Sequence, residues 1–449
     1  MFICSNCREE VLFWKSAVDV EQKKVQNVFS CPYCKVRLSK KNLERVWVQD
    51  KKIAKQVPVL INYSVGTKRF EKEPDLLDLD LIQEIESTNI PHWYPMDELH
   101  SGFSFKQPKA SHGISRVDLF YYKRSLLILS FLRQGIDKTD SPIFRKLLFV
   151  FTSILEGSSK LNRERPGGMP SKLNGTLYVG SLVREINVLD FFRRKAAKIC
   201  EINIESNNFI STSSCTDLNF LPDESIDYIF TDPPFGGNIM YSELNFIWEA
   251  WLRIKTNNQQ EAVINKAQGK TFRTYRALME QSFKEFYRVL KGGRWFTLVF
   301  HNSNNRVWNI IQNALLGAGF VVEDIRSLDK RQGSFKQVTT ASIKQDLVVS
   351  AYKKIKPGDS AASLQPGTEK GVWDFVQSRL EMLPLPVFNG SRPETIPERK
   401  KHQLYDSMVA FHVRNRLTVP LNIQEFYQGL QERFVEKNTM YFLPGQIVE

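Results

Sequence analysis

The stretch Ser225-Ile226-Asp227-Tyr228-Ile229-Phe230-Thr231-Asp232-Pro233-Pro234-Phe235-Gly236-Gly237 limits how this chain can fold more than any other. Its β-branched and aromatic residues read as a buried strand. Two prolines follow, and proline offers no N–H to a ladder. The strand must therefore end at Thr231, with Asp232 and Phe235 on the connection beyond its carboxyl end. Downstream, the pattern alternates. Phe272–Leu290 has the spacing of an amphipathic helix stopped by Gly292-Gly293, and Arg294–His301 reads as a buried strand. Arg306–Leu316 reads as a helix, and Phe320–Ser327 and Asp346–Tyr352 as strands. Upstream, Phe209–Thr212 reads as another strand. This alternation predicts an α/β fold with a mainly parallel sheet and helices on both faces. Ligands gather at the carboxyl ends of the strands in such sheets.

The rest of the chain divides by composition. Residues 46–200 form a mixed α/β and helical insert. Strands are expected over Arg45–Phe70, an exposed acidic helix or loop over Glu71–Glu86, and irregular chain over Pro91–His112. Helices are expected over Val117–Leu132, Ser141–Glu156 and Leu182–Ile199. Residues 201–355 hold the α/β pattern, 356–370 have the Lys/Pro/Gly/Ser character of a linker, and 371–449 read as a small helical domain. The 62 Lys and Arg against 49 Asp and Glu leave a charge of +13. That excess suggests a polyanionic partner, nucleic acid first. The longest apolar runs fall far short of the ~20 residues that span a bilayer. The N-terminus has no basic and apolar leader. The expectation is a cytoplasmic protein with no membrane partner.

Residues 1–45 carry two Cys-x-x-Cys pairs, Cys4/Cys7 and Cys31/Cys34, with 23 residues between them. Two such turns bring four thiolates to one tetrahedral ion, and thiolates suit Zn2+. A structural zinc ribbon is predicted, with a short hairpin over Glu10–Phe13 and Val25–Phe29. Four thiolates leave no open coordination position, so the ion is not catalytic. Cys200 and Cys215 are unpaired in sequence and read as small buried residues.

At the end of the strand, Asp232 presents a carboxylate, Pro233 a carbonyl and Phe235 an aromatic face. Methylation of an amino group on a base needs that set. Hydrogen bonds to the Asp232 carboxylate and the Pro233 carbonyl would draw the delocalised exocyclic nitrogen toward a nucleophilic form. Phe235 would stack on a base flipped out of the duplex. Thr231-Asp232-Pro233-Pro234-Phe235, after a strand of this kind, resembles the catalytic motif of S-adenosylmethionine-dependent DNA amino-methyltransferases of the N6-adenine/N4-cytosine class. More narrowly, the chain resembles large bacterial and archaeal DNA methylases with a zinc ribbon before the catalytic strand. Val57–Ser64, Gly175–Val179, Arg184–Val188, Asp232–Trp251 and Tyr405–His412 carry that resemblance.

The resemblance implies a Rossmann-like methyltransferase sheet whose catalytic region is 201–355, with S-adenosyl-L-methionine as cofactor and DNA as partner. It implies a place in a restriction-modification or phage-defence system, with adenine N6 as the first choice of acceptor. Asp217 would accept from the cofactor's adenine, with Thr231 also on the cofactor side. Tyr241 and Asn245 would line the base pocket. Lys330, Arg331 and Lys336, in a polar loop, are candidate phosphate contacts, as are Arg163 and Arg165.

Two parts of such an enzyme are missing. No Phe-x-Gly-x-Gly turn follows a first strand, and no carboxylate follows a second. Gly167-Gly168 has no buried strand before it, and Gly317-Ala318-Gly319 joins a helix to a strand, the wrong polarity. The sheet is therefore expected to be partial, with a companion chain supplying the glycine-rich cofactor half. Two alternatives stand beside this reading. One is methylation of a transfer-RNA guanine amino group, whose enzymes share Thr-Asp-Pro-Pro before an aromatic and Gly. The other is a non-catalytic DNA-binding or specificity fragment.

Overall fold

A computed structural model of the 449-residue chain describes all residues except 49–51, 141–142, 170, 202–207, 303–304, 329–345, 355–367, 387, 390–391, 394–395, 415–418 and 447–449. The N-terminal segment is built from short antiparallel ladders. Phe2–Ile3 pairs with Glu10–Val11 and Glu44–Arg45, and Val28–Ser30 pairs with Arg37–Ser39. Each Cys pair thus sits in the turn of its own hairpin. Glu10–Phe13 and Val25–Phe29 do not pair with each other, as the sequence had suggested, and Phe13–Ala17 forms a short helix. Phe2, Val11, Phe13, Phe29 and Leu38 pack around Cys4 and Cys31.

The insert is mostly helical. Helices α1 (Lys123–Asp137) and α3 (Val188–Cys200) each start six residues later than expected, while α2 (Ile143–Leu155) lies within two residues of its expected bounds. A 3-10 turn over Asp118–Phe120 occupies the predicted start of α1, and the Asn187 side chain caps α3 by accepting from Asp190 N–H. The acidic segment is a helix, Leu76–Ser87, begun by an Asp75–Asp78 capping box. Lys106–His112 is helical where irregular chain was expected, and Gly113 in the left-handed region (φ 70°) ends it.

Strand β1 (Ile226–Thr231) leads through the Pro-Pro turn into helix α4 (Tyr241–Leu252). α5 (Phe272–Val289), β2 (Leu290–Phe300), α6 (Asn305–Ala318), β3 (Val321–Leu328) and β4 (Asp346–Tyr352) follow. The sheet order is β1-β2-β4-β3. β1 runs parallel to β2, while β4 lies antiparallel between β2 and β3. Three strands share one direction, as the alternation implied. Because β4 is inserted between two of them, however, only one of the three ladders is parallel, which corrects the mainly parallel expectation. Tyr275, Met279, Phe283 and Phe286 recur at three- and four-residue spacing along α5. They meet Phe296, Leu298 and Phe300 of β2 and Ile311 and Leu315 of α6 in one core.

The predicted strand Phe209–Thr212 does not form. Phe209 and Ile210 are 80% and 88% exposed. The segment does not add to the sheet, which ends at β1; the outer edge of β1 pairs with nothing among the described residues. Tyr228 and Phe230 on β1 are 54% and 61% exposed.

The turn after β1 joins two cores. Its strand belongs to the sheet. The Phe246, Ile247, Ala250 and Trp251 side chains of α4 belong to the helical core, beside Tyr121, Leu129, Phe151 and Ile154. The C-terminal region holds α7 (Glu369–Met382), α8 (Lys401–Arg414) and α9 (Ile423–Arg433), followed by a hairpin, Val435–Lys437 with Met440–Phe442. The linker expected at 356–370 lies almost wholly outside the described residues.

Candidate functional site

Register sets where the site begins. Thr231 lies opposite Leu298 as the last paired residue of β1, and the chain then turns away. Three bonds from distant elements pin that turn. The Tyr275 hydroxyl of α5 donates to Pro234 O at 2.8 Å, and Asn302 Nδ2 donates to Phe235 O at 2.9 Å. Ile264 N–H donates to Gly236 O at 3.2 Å. Gly236 takes φ 66°, the left-handed region that glycine enters without strain. Pro233 is buried, whereas Asp232 is exposed. The carboxylate thus faces outward from a fixed backbone.

Tyr241, the first residue of α4, lies close enough to feel it. Burial raises the Tyr241 phenol pKa, and the charges of Asp232 and Glu261 raise it further. Asn245 is exposed one turn along the same helix. The structure therefore places Asp232, Tyr241 and Asn245 at one end of α4. The Phe235 ring is half-buried and meets Phe300 edge-on, with centroids 5.1 Å apart. It thus contributes to the sheet core as well as to the turn. Burial also raises the Tyr275 phenol pKa strongly, so its hydroxyl stays neutral and able to donate.

Sequence reasoning missed the residues that hold this arrangement. Glu261 accepts from Ser242 N–H at 3.0 Å and from Ser242 Oγ at 2.6 Å, tying a loop to the start of α4. Glu243 is fully buried. It accepts from Phe103 and Ser104 N–H and from Asn265 Nδ2, at 3.2, 2.7 and 2.8 Å. These partners lie from 19 to 140 residues apart in sequence, and no local pattern marks such pairs.

The other candidates are placed as follows. Asp217 lies in an exposed loop, and its carboxylate accepts from Asn219 N–H at 3.2 Å. Arg163 donates to Ser171 O and stacks on Tyr178, a structural use of its guanidinium. Lys330, Arg331 and Lys336 lie outside the described residues. Cys215 is exposed, so its reading as a buried residue is corrected; it follows an open loop with no core to enter. The Cys200 side chain lies outside the described residues.

The four N-terminal thiols form the one cluster among the described residues that could hold a metal. Their Sγ atoms all lie within 4.8 Å of one another. Cys4 to Cys34 is 3.7 Å and Cys7 to Cys31 is 3.8 Å. A tetrahedron with zinc–sulfur bonds of about 2.3 Å has edges of about 3.8 Å, so the donor set fits zinc. The two knuckles also match. Arg8 N–H donates to Cys4 O and Lys35 N–H to Cys31 O, both at 3.1 Å. Both residues take positive φ, 62° and 59°. Donors from the Asn6 side chain and Val36 N–H favour the Cys34 thiolate and lower its pKa to about 6.

No protein-family profile matches the chain, and no curated protein sequence does. Solved structures resemble parts of it. A provisionally named DNA modification methylase of Thermus thermophilus is 14% identical over 32% of this chain and 52% of its own, with a TM-score of 0.20. The same protein complexed with S-adenosyl-L-methionine matches at 14% identity over 32% and 54%, with a TM-score of 0.20. A SAM-dependent methyltransferase of Methanosarcina mazei is 12% identical over 36% of this chain and 77% of its own, with a TM-score of 0.20. The match to the Thermus protein spans about half of that protein's length. At these scores the chemistry of this chain has to be read from its own residues.

Proposed function

We propose that this chain is the target-base half of an S-adenosylmethionine-dependent DNA methyltransferase that acts on an exocyclic amino group, adenine N6 first, within a modification or phage-defence system. One observation carries the reading. Asp232 leaves the carboxyl end of a sheet strand on a turn fixed by Tyr275, Asn302 and Ile264, with Tyr241 beside it. A carboxylate carried on a turn fixed this way would accept N–H bonds from the target amino group, and such acceptors act most strongly once water is excluded. The Pro233 carbonyl is the second acceptor in this reading. Phe235, Tyr241 and Asn245 would frame the base. S-adenosylmethionine, when bound, supplies the methyl group. Asp217 and Thr231 are the residues of this chain proposed to face it. Lys330, Arg331 and Lys336 are proposed as phosphate contacts.

The glycine-rich cofactor half would come from a companion polypeptide docked against β1. The outer edge of β1, unpaired among the described residues, and the exposed Tyr228 and Phe230 support this. The test is transfer of labelled methyl groups to DNA by the chain reconstituted with the polypeptide encoded beside it. Asp232→Ala is expected to reduce transfer on the order of 100-fold or more. The circular dichroism spectrum should be unchanged, since Asp232 is exposed. Full activity in that variant would refute the assignment.

A further inference from the structure

A second constellation lies at the far end of α4, about 18 Å along that 12-residue helix from the Pro-Pro turn. A cavity of about 170 Å³ opens between the carboxyl half of α1, the end of α4 and the segment Pro91–Trp93. Arg133 of α1 lines it and is only 6% exposed. Its Nη2 bonds Asp137 at 2.9 Å, but its Nε and Nη1 are buried and meet no acceptor. Arg253 enters from the other side. Its Nη2 lies 3.5 Å from Asp137, and its guanidinium lies over the Trp93 ring at 4.0 Å. His92 Nε2, also buried, has no partner.

Three features make this more than a packing defect. A buried donor left without an acceptor costs about 1–3 kcal/mol, and more when the group is charged. Two guanidiniums face a single carboxylate, so the lining keeps one unit of positive charge. Arg253 also closes α4 with φ 59°, a left-handed conformation normally left to glycine or asparagine. That residue brings a second guanidinium into the cavity lining.

We propose that this cavity is a binding site for a phosphate-type oxyanion. Arg133, Arg253 and His92 line the cavity from three separate segments of the chain. A tetrahedral anion with several acceptor oxygens fits that arrangement better than a planar carboxylate, and guanidinium forks match phosphate oxygens in pairs. At about 30 Å³ per water, the volume holds such a group with part of its hydration. The phosphate comes either as a free ion or as part of a nucleic-acid strand. The site stands independently of the methyl-transfer reading.

Arg133 is too buried for a clean deletion, so the test uses Arg253→Asn, which keeps the left-handed backbone, and Asp137→Asn. Calorimetry on the full chain measures inorganic phosphate at constant ionic strength, then a 5′-phosphorylated trinucleotide against its 5′-hydroxyl form. Saturable phosphate binding is expected in the wild type. R253N should weaken it on the order of tenfold or more. D137N should tighten it by up to about fivefold, because the competing carboxylate charge is gone. A purely structural ion pair would not give opposite signs in the two variants. A clear preference for the 5′-phosphorylated trinucleotide over inorganic phosphate assigns the nucleic-acid source, and equal binding assigns free phosphate. Absence of saturable binding in the wild type, or weakening in D137N, would mean that the cavity holds water alone.

Discussion

Replacing Cys31 with serine removes one of four thiolates from a segment with little else to hold it. Cys31 is buried, with its Sγ 3.8 Å from that of Cys7. The apolar core around it has few large buried side chains besides the cysteines: Phe2, Val11, Phe13, Phe29 and Leu38. Cores of domains below about 70 residues rarely supply more than 3–5 kcal/mol, whereas structural zinc contributes about 10–16 kcal/mol in small domains. Losing the ion therefore exceeds what this core can compensate. Cys31→Ser, or treatment of the wild type with a strong chelator, should unfold residues 1–45 and leave the sheet intact. The assay is zinc content by atomic emission together with amide hydrogen exchange, resolved by segment. Protection should vanish before residue 46 and persist in β2 and α5. If the purified wild type holds no zinc and its four thiols titrate freely, or if Cys31→Ser keeps its exchange protection, the tetrahedral argument fails.

Tyr275→Phe removes the hydroxyl that donates to Pro234 O. It should cost about 1 kcal/mol of stability and lower activity by loosening the turn, measured as a fall in kcat with substrate affinity kept. Trp251 is fully buried against Tyr121 and Phe151, and its Nε1–H donates to the Tyr121 hydroxyl. Trp251→Ala should destabilise the helical core by about 3–5 kcal/mol, read from denaturant midpoints; a loss under about 1 kcal/mol would contradict the packing. Burial lowers the Lys160 ammonium pKa from 10.5 to about 8, despite the nearby Glu86, Asp118 and Glu185. The unfolded chain keeps that proton to higher pH, so stability should rise as pH goes from about 8 to 10.5. Lys160→Met should flatten that slope in a pH series of unfolding curves.

Much of this chain follows from short-range rules that a sequence carries in full. The strand ending at Thr231 follows from two prolines that cannot join a ladder. The helix over α5 follows from apolar residues at three- and four-residue spacing, and the Cys cluster from paired turns that fix their own geometry. Each depends on residues within a few positions of one another, or on a chemistry as specific as thiolate and zinc. Tertiary structure decided what depends on partners far along the chain. Phe209–Thr212 has strand-forming residues but does not join the sheet, although the outer edge of β1 is open among the described residues; Phe209 and Ile210 stay exposed. β4 lies between β2 and β3 and is antiparallel to both, a pairing that its own residues do not announce. The bonds from Tyr275, Asn302 and Ile264 to the turn, and the burial of Glu243 against Phe103 and Ser104, join segments that no periodicity connects. Asp232 can be named from its neighbours in sequence, but the rigidity of its turn comes from partners 28 to 67 residues away, because only folding brings those donors within hydrogen-bonding reach.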